Sequence, residues 1–589
     1  MPFEVGPLRL LLDPASGFVR HIRYGNRLVL LGIYPAVRDH NWDTVPPRPL
    51  WMRLERGERG LRVDFALRCQ GEGVDFVWEA QVEVGPQGLT YRAEGEAKSR
   101  FLRNRIGLCV LHPAECAGSP CRVETVDGRT FQGRFPRRIA PHQPFLNLRA
   151  IAHPVAEGLW AEVRLEGEVF EMEDQRNWSD ASFKTYSTPL HLPFPVEVRP
   201  GERVAQQVTV RLEGTPFTPA EEPTGVVRIR LGGRPRPLPQ LGLGLAPEPL
   251  STPAQRLLRA LRLDHLRVDL RWEEGWEAHW REAQAQAQAL GAALEVALFL
   301  PEEAAIPPRL EGEVARWLVF PVQSPATPPG LVARLRPWLR GPLYGGTDAY
   351  FAELNRARLP LAELDGVCFS LNPQVHAFDP LTLRENLAPQ QTLVREARRK
   401  ARGRPVAVSP LTLRPRYNPN ATQPQGPLPP DPRQPSLFAA AWTAGSLKHL
   451  ALGGAASVTL FETAGPGGVL AQEGGRVWAY PLYHLLAWVG AFAGGVVLPT
   501  RSSHPLQVEA LALTKGSRTR LILANLSPQP QVVRLEGAAL PRELTVRLLN
   551  LEAAEDPLRS LRRPGHRLLR HGALELPLEP CALLCLDAL

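Results

Sequence analysis

Three side chains in this 589-residue sequence stand out for acid–base chemistry. They are Glu353 in GGTDAYFAELNR (345–356), Glu462 in FETAGPGG (461–468) and His376 in SLNPQVHAFD (370–379). A carboxylate can take a proton from water, and an imidazole, whose unperturbed pKa lies near neutrality, can carry it onward. Around them fall groups suited to hold hydroxyls or an anion: Asp348 and Asn355 beside Glu353, and Asn372 and Gln374 before His376. LRVDLRW (266–272) adds Arg267, Asp269 and Arg271, which period-two alternation puts on one face of a strand. That face is either a ligand surface or a buried ion-pair layer that only stiffens the fold.

A second polar stretch, EMEDQRNWSDASFKTY (171–186), follows the strand-like LWAEVRLEGEVF. It carries Asp174, Arg176 and Lys184, which could reach a substrate if the stretch faces another domain's site. The alternative is an internal clamp between two long strands.

These residues need elements to position them. Residues 1–225 alternate apolar and polar side chains between Gly, Pro and Asp breaks, which predicts a large all-β sandwich. GTPFTPAEEPTG (214–225) reads as its Pro-rich exit. Over 226–496 the rhythm changes to short apolar strands alternating with helices. Strands are expected at 241–246, 266–272, 294–300, 317–322, 342–347, 366–371, 405–410 and 456–462. Eight such units in about 260 residues predict a (β/α)8 TIM barrel, whose active site lies at the C-terminal ends of its strands. Glu353, His376 and Glu462 all follow such ends. Residues 497–589 return to short strands and predict a small C-terminal β-sandwich. The long loop LRPRYNPNATQPQGPLPPDPRQP (413–435) after the seventh strand is expected over the catalytic end.

Composition narrows the function classes. The net charge of +9 comes from arginines scattered along the chain rather than clustered, which argues against nucleic-acid binding. No apolar run approaches the roughly 20 residues that cross a bilayer, and MPFEVGPLRLLLDP lacks the pattern of a secretory signal. A cytoplasmic protein without membrane partners is expected. The seven cysteines form no CxxC pair, so reduced structural thiols are expected, with no metal and no cofactor.

RNRIGLCVLHP (103–113) followed by EDQRNWSDASFKTY (173–186) resembles the N-terminal domain of the D-apionate lactonase family. GGTDAYFAELNR, NPQVHAFD and the FET-G turn are similar to that family's barrel segments. The resemblance implies a mutarotase-like β-sandwich, a TIM barrel and a C-terminal β domain, the same three parts read above. It also implies a hydrolase acting on a small sugar lactone. Opening a cyclic ester needs a base for water, donors for the oxyanion and an acid for the leaving hydroxyl. Glu353 or Glu462 is the expected base, His376 the proton carrier, and Arg271 or Lys184 the partner of the oxyanion or product carboxylate. A GxSxG elbow is absent, which disfavours a serine esterase.

Two other readings stay open. A glycoside hydrolase would set Glu353 against Glu462 at about 5–9 Å. Barrel glycosidases commonly carry that pair on strands four and seven, which here end PVQSP and VSPLT without a carboxylate. A carbohydrate-binding protein would hold a saccharide and turn over nothing.

Overall fold

A computed structural model describes residues 1–57, 60–214, 225–273, 275–303, 310, 312–423, 426–536, 543–550, 552, 565–568 and 574–588. The chain divides into two compact units. The first holds Met1–Arg176, Ala181–Pro223 and Tyr417–Gly426, and the second holds Asn177–Asp180, Thr224–Arg416 and Pro427–Leu589. The Pro-rich exit read at 214–225 lies, except for its ends, outside the described residues.

The first unit is the β-sandwich. Its antiparallel strands form one continuous strip that runs from Pro47–Gly57 through the Gly60–Gly71/Val74–Gly85 hairpin, Gly88–Ala97, Arg203–Gly214 and Leu159–Glu166 to Phe145–Ala156. There the register shifts, and the strip continues through Phe170–Asp174, Ser182–Tyr186, Phe101–Pro113, Arg27–Asp39 and Phe18–Tyr24. The two halves face each other across one core. Strand VDFVWEAQVEVG shows why: Val74, Phe76, Trp78, Ala80, Val82 and Val84 are all buried, and the residues between them are not. Tyr91 crosses that core and donates to the Gly17 carbonyl at 2.9 Å.

The centre of the second unit is a closed, all-parallel eight-stranded barrel. Its strands are β1 (Gln240–Gly244), β2 (His265–Arg271), β3 (Ala293–Leu300), β4 (Val314–Pro321), β5 (Leu343–Gly346), β6 (Gly366–Leu371), β7 (Val406–Leu411) and β8 (Ser457–Ala464). β1 pairs with β8 through Leu241↔Val458 and closes the ring. All eight expected strands are present, each shifted by a few residues at most. Two helices matter below: α1 (Phe351–Arg356) after β5 and α2 (Leu437–Gly453) between β7 and β8.

The C-terminal sandwich of the same unit is built from two sheets, and each takes a strand from before the barrel, Val227–Leu231 in one and Arg236–Pro237 in the other. Val227–Leu231 pairs in parallel with Gln531–Glu536 and antiparallel with Thr500–Ser502. Val227 and Ile229 are buried in a core with Ala510, Leu523, Val533 and Leu584. The segment VVRIRL, read from sequence as the entry to the barrel, is therefore a strand of the C-terminal sandwich. Its alternation is that of any half-buried strand, and nothing local to it names the sheet it joins. Among the described residues no helix is long and apolar enough to cross a membrane.

Every residue of α2 is buried, including Lys448 and His449. Both meet Glu509 of the C-terminal sandwich: Lys448 is ion-paired to one carboxylate oxygen, and His449 Nε2 lies 3.0 Å from the other. Burial opposes ionisation of Glu509, but Lys448 and His449 pull its pKa from 4.5 down to about 2. The stabilisation this gives is complete above about pH 4.5 and is lost as the pH falls towards 2. Glu509→Gln should cost about 3–5 kcal/mol in chemical denaturation, because it strands a buried ammonium. It should also flatten stability between those two pH values.

Candidate active site

The barrel interior is polar where β2, β3, β7 and β8 face each other. On β2, alternation aims Arg267, Asp269 and Arg271 to the same side as Glu295, Ala297 and Phe299, their lateral partners on β3. The lowest layer surrounds Glu295, which is fully buried. Its carboxylate accepts from Arg316 at 2.7 Å and from the hydroxyls of Ser409 and Thr459 at 2.5 Å each. Burial opposes its ionisation, but His265, Arg316 and the two hydroxyls bring its pKa down to about 2. The Glu295 carboxylate is thus satisfied by groups of the barrel itself.

The layer above opens towards the C-terminal ends of the strands. Arg267 is buried and reaches three elements: Asp269 at 2.7 Å, Asp348 after β5 at 2.8 Å and Ser409 of β7 at 2.9 Å. Arg416, from the loop after β7, binds the same two aspartates, Asp348 at 2.6 Å and Asp269 at 3.1 Å. Burial works against charge on Asp269, but Arg267 and Arg416 hold its carboxyl below the usual range. Its side chain stays 36% exposed, against 9% for Asp348. Arg271, one step further along β2, is exposed with its guanidinium 4.6 Å over the Phe299 ring.

Glu462 stands at the end of β8, half-buried. Burial raises its pKa above the ordinary glutamate value, Arg416 opposes that rise, and Asp269 adds to it. Among the described residues its carboxylate makes no hydrogen bond, whereas Asp269 and Asp348 are each bound by two arginines. Burial thus makes Glu462 a weaker acid than an ordinary glutamate.

Glu353 is placed differently. Its Oε2 accepts from the Tyr350 backbone N–H at 3.0 Å and so caps α1. Burial raises its pKa too, and its charged neighbour is Arg356. Glu353 and Glu462 thus have different charged neighbours, Arg356 and Arg416.

The loop after β6 forms a separate cluster. Gln374 donates to Asp431 and to the Leu413 carbonyl, each at 2.5 Å, and accepts from Arg433 at 2.7 Å, so its amide is engaged by the protein. Asn372 accepts from the Gln374 backbone at 3.0 Å. His376 meets Asp180 and Trp178, and Asn355 donates to Asn177 at 3.0 Å. In the first unit, Arg176 forms a two-pronged pair with Asp174 at 2.7 and 2.8 Å and also donates to the Pro136 and Arg138 carbonyls. Lys184 pairs with Glu173 at 2.5 Å. Lys184 thus bridges the paired strands Phe170–Asp174 and Ser182–Tyr186, and Arg176 ties Asp174 to the backbone at 136–138.

Sequence reasoning missed Arg416, which sits in a Pro-rich loop with no periodicity to mark it. It also did not join Asp180, in the polar stretch 171–186, to His376 nearly two hundred residues away. Glu353 did carry a warning: Tyr350-x-x-Glu at the start of a helix has the spacing of a cap.

Asp348 is the more buried of the two carboxylates shared by the arginine pair. Asp348→Asn should therefore cost about 3–5 kcal/mol in urea denaturation, because it leaves Arg267 under-compensated in the barrel. Asp269→Asn, at a more solvated position, should cost clearly less.

Comparison with known proteins agrees with the three-part fold. Family models for D-apionate lactonase match in order: the N-terminal domain over residues 1–215, the TIM barrel domain over 241–494 and the C-terminal immunoglobulin-like domain over 505–584. The D-apionate lactonase of Brucella anthropi is 30% identical over 568 residues, covering 89% of this chain and 93% of that protein. Among solved structures, the GH51 arabinofuranosidase of Xanthomonas axonopodis pv. citri covers 62% of this chain and 99% of its own, at 13% identity and a TM-score of 0.44. The thermostable GH51 α-L-arabinofuranosidase of Thermotoga petrophila covers 62% and 100%, at 11% identity and a TM-score of 0.45. With all three of its domains matched in sequence and in order, the chain belongs to the D-apionate lactonase family.

Proposed function

We propose that the protein is a sugar-acid lactonase that opens an aldonolactone by general-base attack of water at the C-terminal mouth of its barrel. The observation that carries this reading is Glu462, half-buried at the end of β8 near Arg416 with no hydrogen bond to its carboxylate among the described residues. Glu462 takes a proton from water, and the hydroxide adds to the lactone carbonyl carbon. The tetrahedral oxyanion is stabilised by a guanidinium, that of Arg416 or Arg271. Collapse breaks the bond between the acyl carbon and the ring oxygen, and the proton held by Glu462 returns to the departing alkoxide. The product is a hydroxy acid, which ionises at neutral pH.

Asp269, Asp348 and Asn372 are the proposed hydroxyl anchors, and His376 carries the proton released at each turnover. Asn355 and Gln374 are engaged within the barrel's unit and act as support there, whereas Asp174, Arg176 and Lys184 are engaged within the sandwich. Glu353 likewise acts as support, as the cap of α1. We place the protein in the cytoplasm on its seven unpaired cysteines, six of them buried.

Glu462→Gln should lower kcat/KM on a hydrolysed aldonolactone by about 10²–10⁴-fold, while Glu353→Gln retains activity within about tenfold. The base works only when ionised and its pKa is raised, so the acid limb of the pH–rate profile should lie above the ordinary glutamate value of 4.5. Loss of activity in Glu353→Gln with Glu462→Gln still active would reject this assignment.

A further inference from the structure

The steps above leave unused the most polar stretch of the sequence, residues 171–186. Four of its residues, Asn177–Asp180, group with the barrel's unit rather than with the sandwich on either side. Two of the four touch one side chain. Asp180 Oδ2 lies 2.8 Å from His376 Nδ1, and the Trp178 ring stands perpendicular to the imidazole with centroids 5.2 Å apart. Between them Ser179 is fully buried at φ 69°, a left-handed conformation that a non-glycine residue adopts at some cost. That turn lets consecutive residues converge on His376, and Ser179 Oγ donates to the Asn372 carbonyl at 3.4 Å. The second oxygen of Asp180 accepts from Asn386 at 3.5 Å, and Asn386 is in turn held by the Pro373 carbonyl at 2.9 Å.

A carboxylate only accepts hydrogen bonds, so the ring nitrogen facing Asp180 must carry the proton. In the neutral ring the lone pair then lies on Nε2. We propose that Asp180 is a positioning residue for His376, fixing the Nδ1–H tautomer so that Nε2 is the basic atom at the end of β6. The proposal deepens the lactonase reading and rests on it for its kinetic consequence. Opening a lactone to a carboxylate at neutral pH releases one proton per turnover. Nε2 accepts that proton, Asp180 stabilises the imidazolium formed, and Nε2 passes the proton to buffer.

The test uses the full-length protein labelled with ¹⁵N-histidine, with His376→Gln to assign the signal. The wild type should show His376 as the Nδ1–H tautomer. In Asp180→Asn the carbonyl of the new amide stays on Asn386 and its NH₂ turns to the ring, so the signal should switch to the Nε2–H tautomer. The kcat of Asp180→Asn on the best lactone should fall by about 10–100-fold with KM within twofold. Added imidazole should restore part of it, and Asp180→Glu should keep the wild-type tautomer and most of the rate. A wild-type His376 protonated on Nε2, or an Asp180→Asn protein unchanged in both tautomer and kcat, would overturn the proposal. If the wild type turns over no lactone, the lactonase reading fails, and the NMR signal still decides whether Asp180 sets the tautomer.

Discussion

A guanidinium buried inside a closed β-barrel has to be compensated where it stands, and Arg267 is such a group. Water cannot reach it in bulk, and leaving it unpaired would cost several kcal/mol. Its five N–H donors are directed in a fixed fork, so the compensating oxygens must come from fixed directions. They come from β2, from the end of β5 and from β7. One side chain thereby fixes the relative position of three strands from which loops of the proposed site depart.

The rest of the mouth follows from charge balance. Asp269 and Asp348 neutralise Arg267, and Arg416 takes the second oxygen of Asp269 and shares Oδ1 of Asp348 with Arg267. Two cations and two anions then form a rigid, near-neutral floor. Glu462 falls outside that balance, close enough to feel Arg416 and Asp269 but bonded to neither. A carboxylate that the fold does not consume is free to exchange protons. Glu353 differs in that one of its oxygens caps a helix start, and Arg176 and Lys184 differ in that their charges are paired with Asp174 and Glu173.

Much of this was legible in the sequence, and the physical reasons are specific. Parallel barrel strands are apolar runs of fixed length between helices, so all eight could be read. The alternation of LRVDLRW put Arg267 and Asp269 on the inner face because a strand has a period of two. What stayed hidden has no local period. Arg416 lies among prolines, and Asp180 meets His376 only through the tertiary fold. Val227–Leu231 fell inside the span expected for the barrel, and its partners lie some three hundred residues away. Residue type favoured Glu353 and Glu462 equally, and only the surroundings tell a cap from an open carboxylate.

The most direct test of the account is acid release by the wild-type protein from a panel of aldono- and apiono-lactones. The rate should be followed by NMR against spontaneous opening, with aryl glycosides run in parallel. The account predicts clear acceleration with at least one lactone and none with the glycosides. Release of sugar from a glycoside, with every lactone opening at its spontaneous rate, would contradict it.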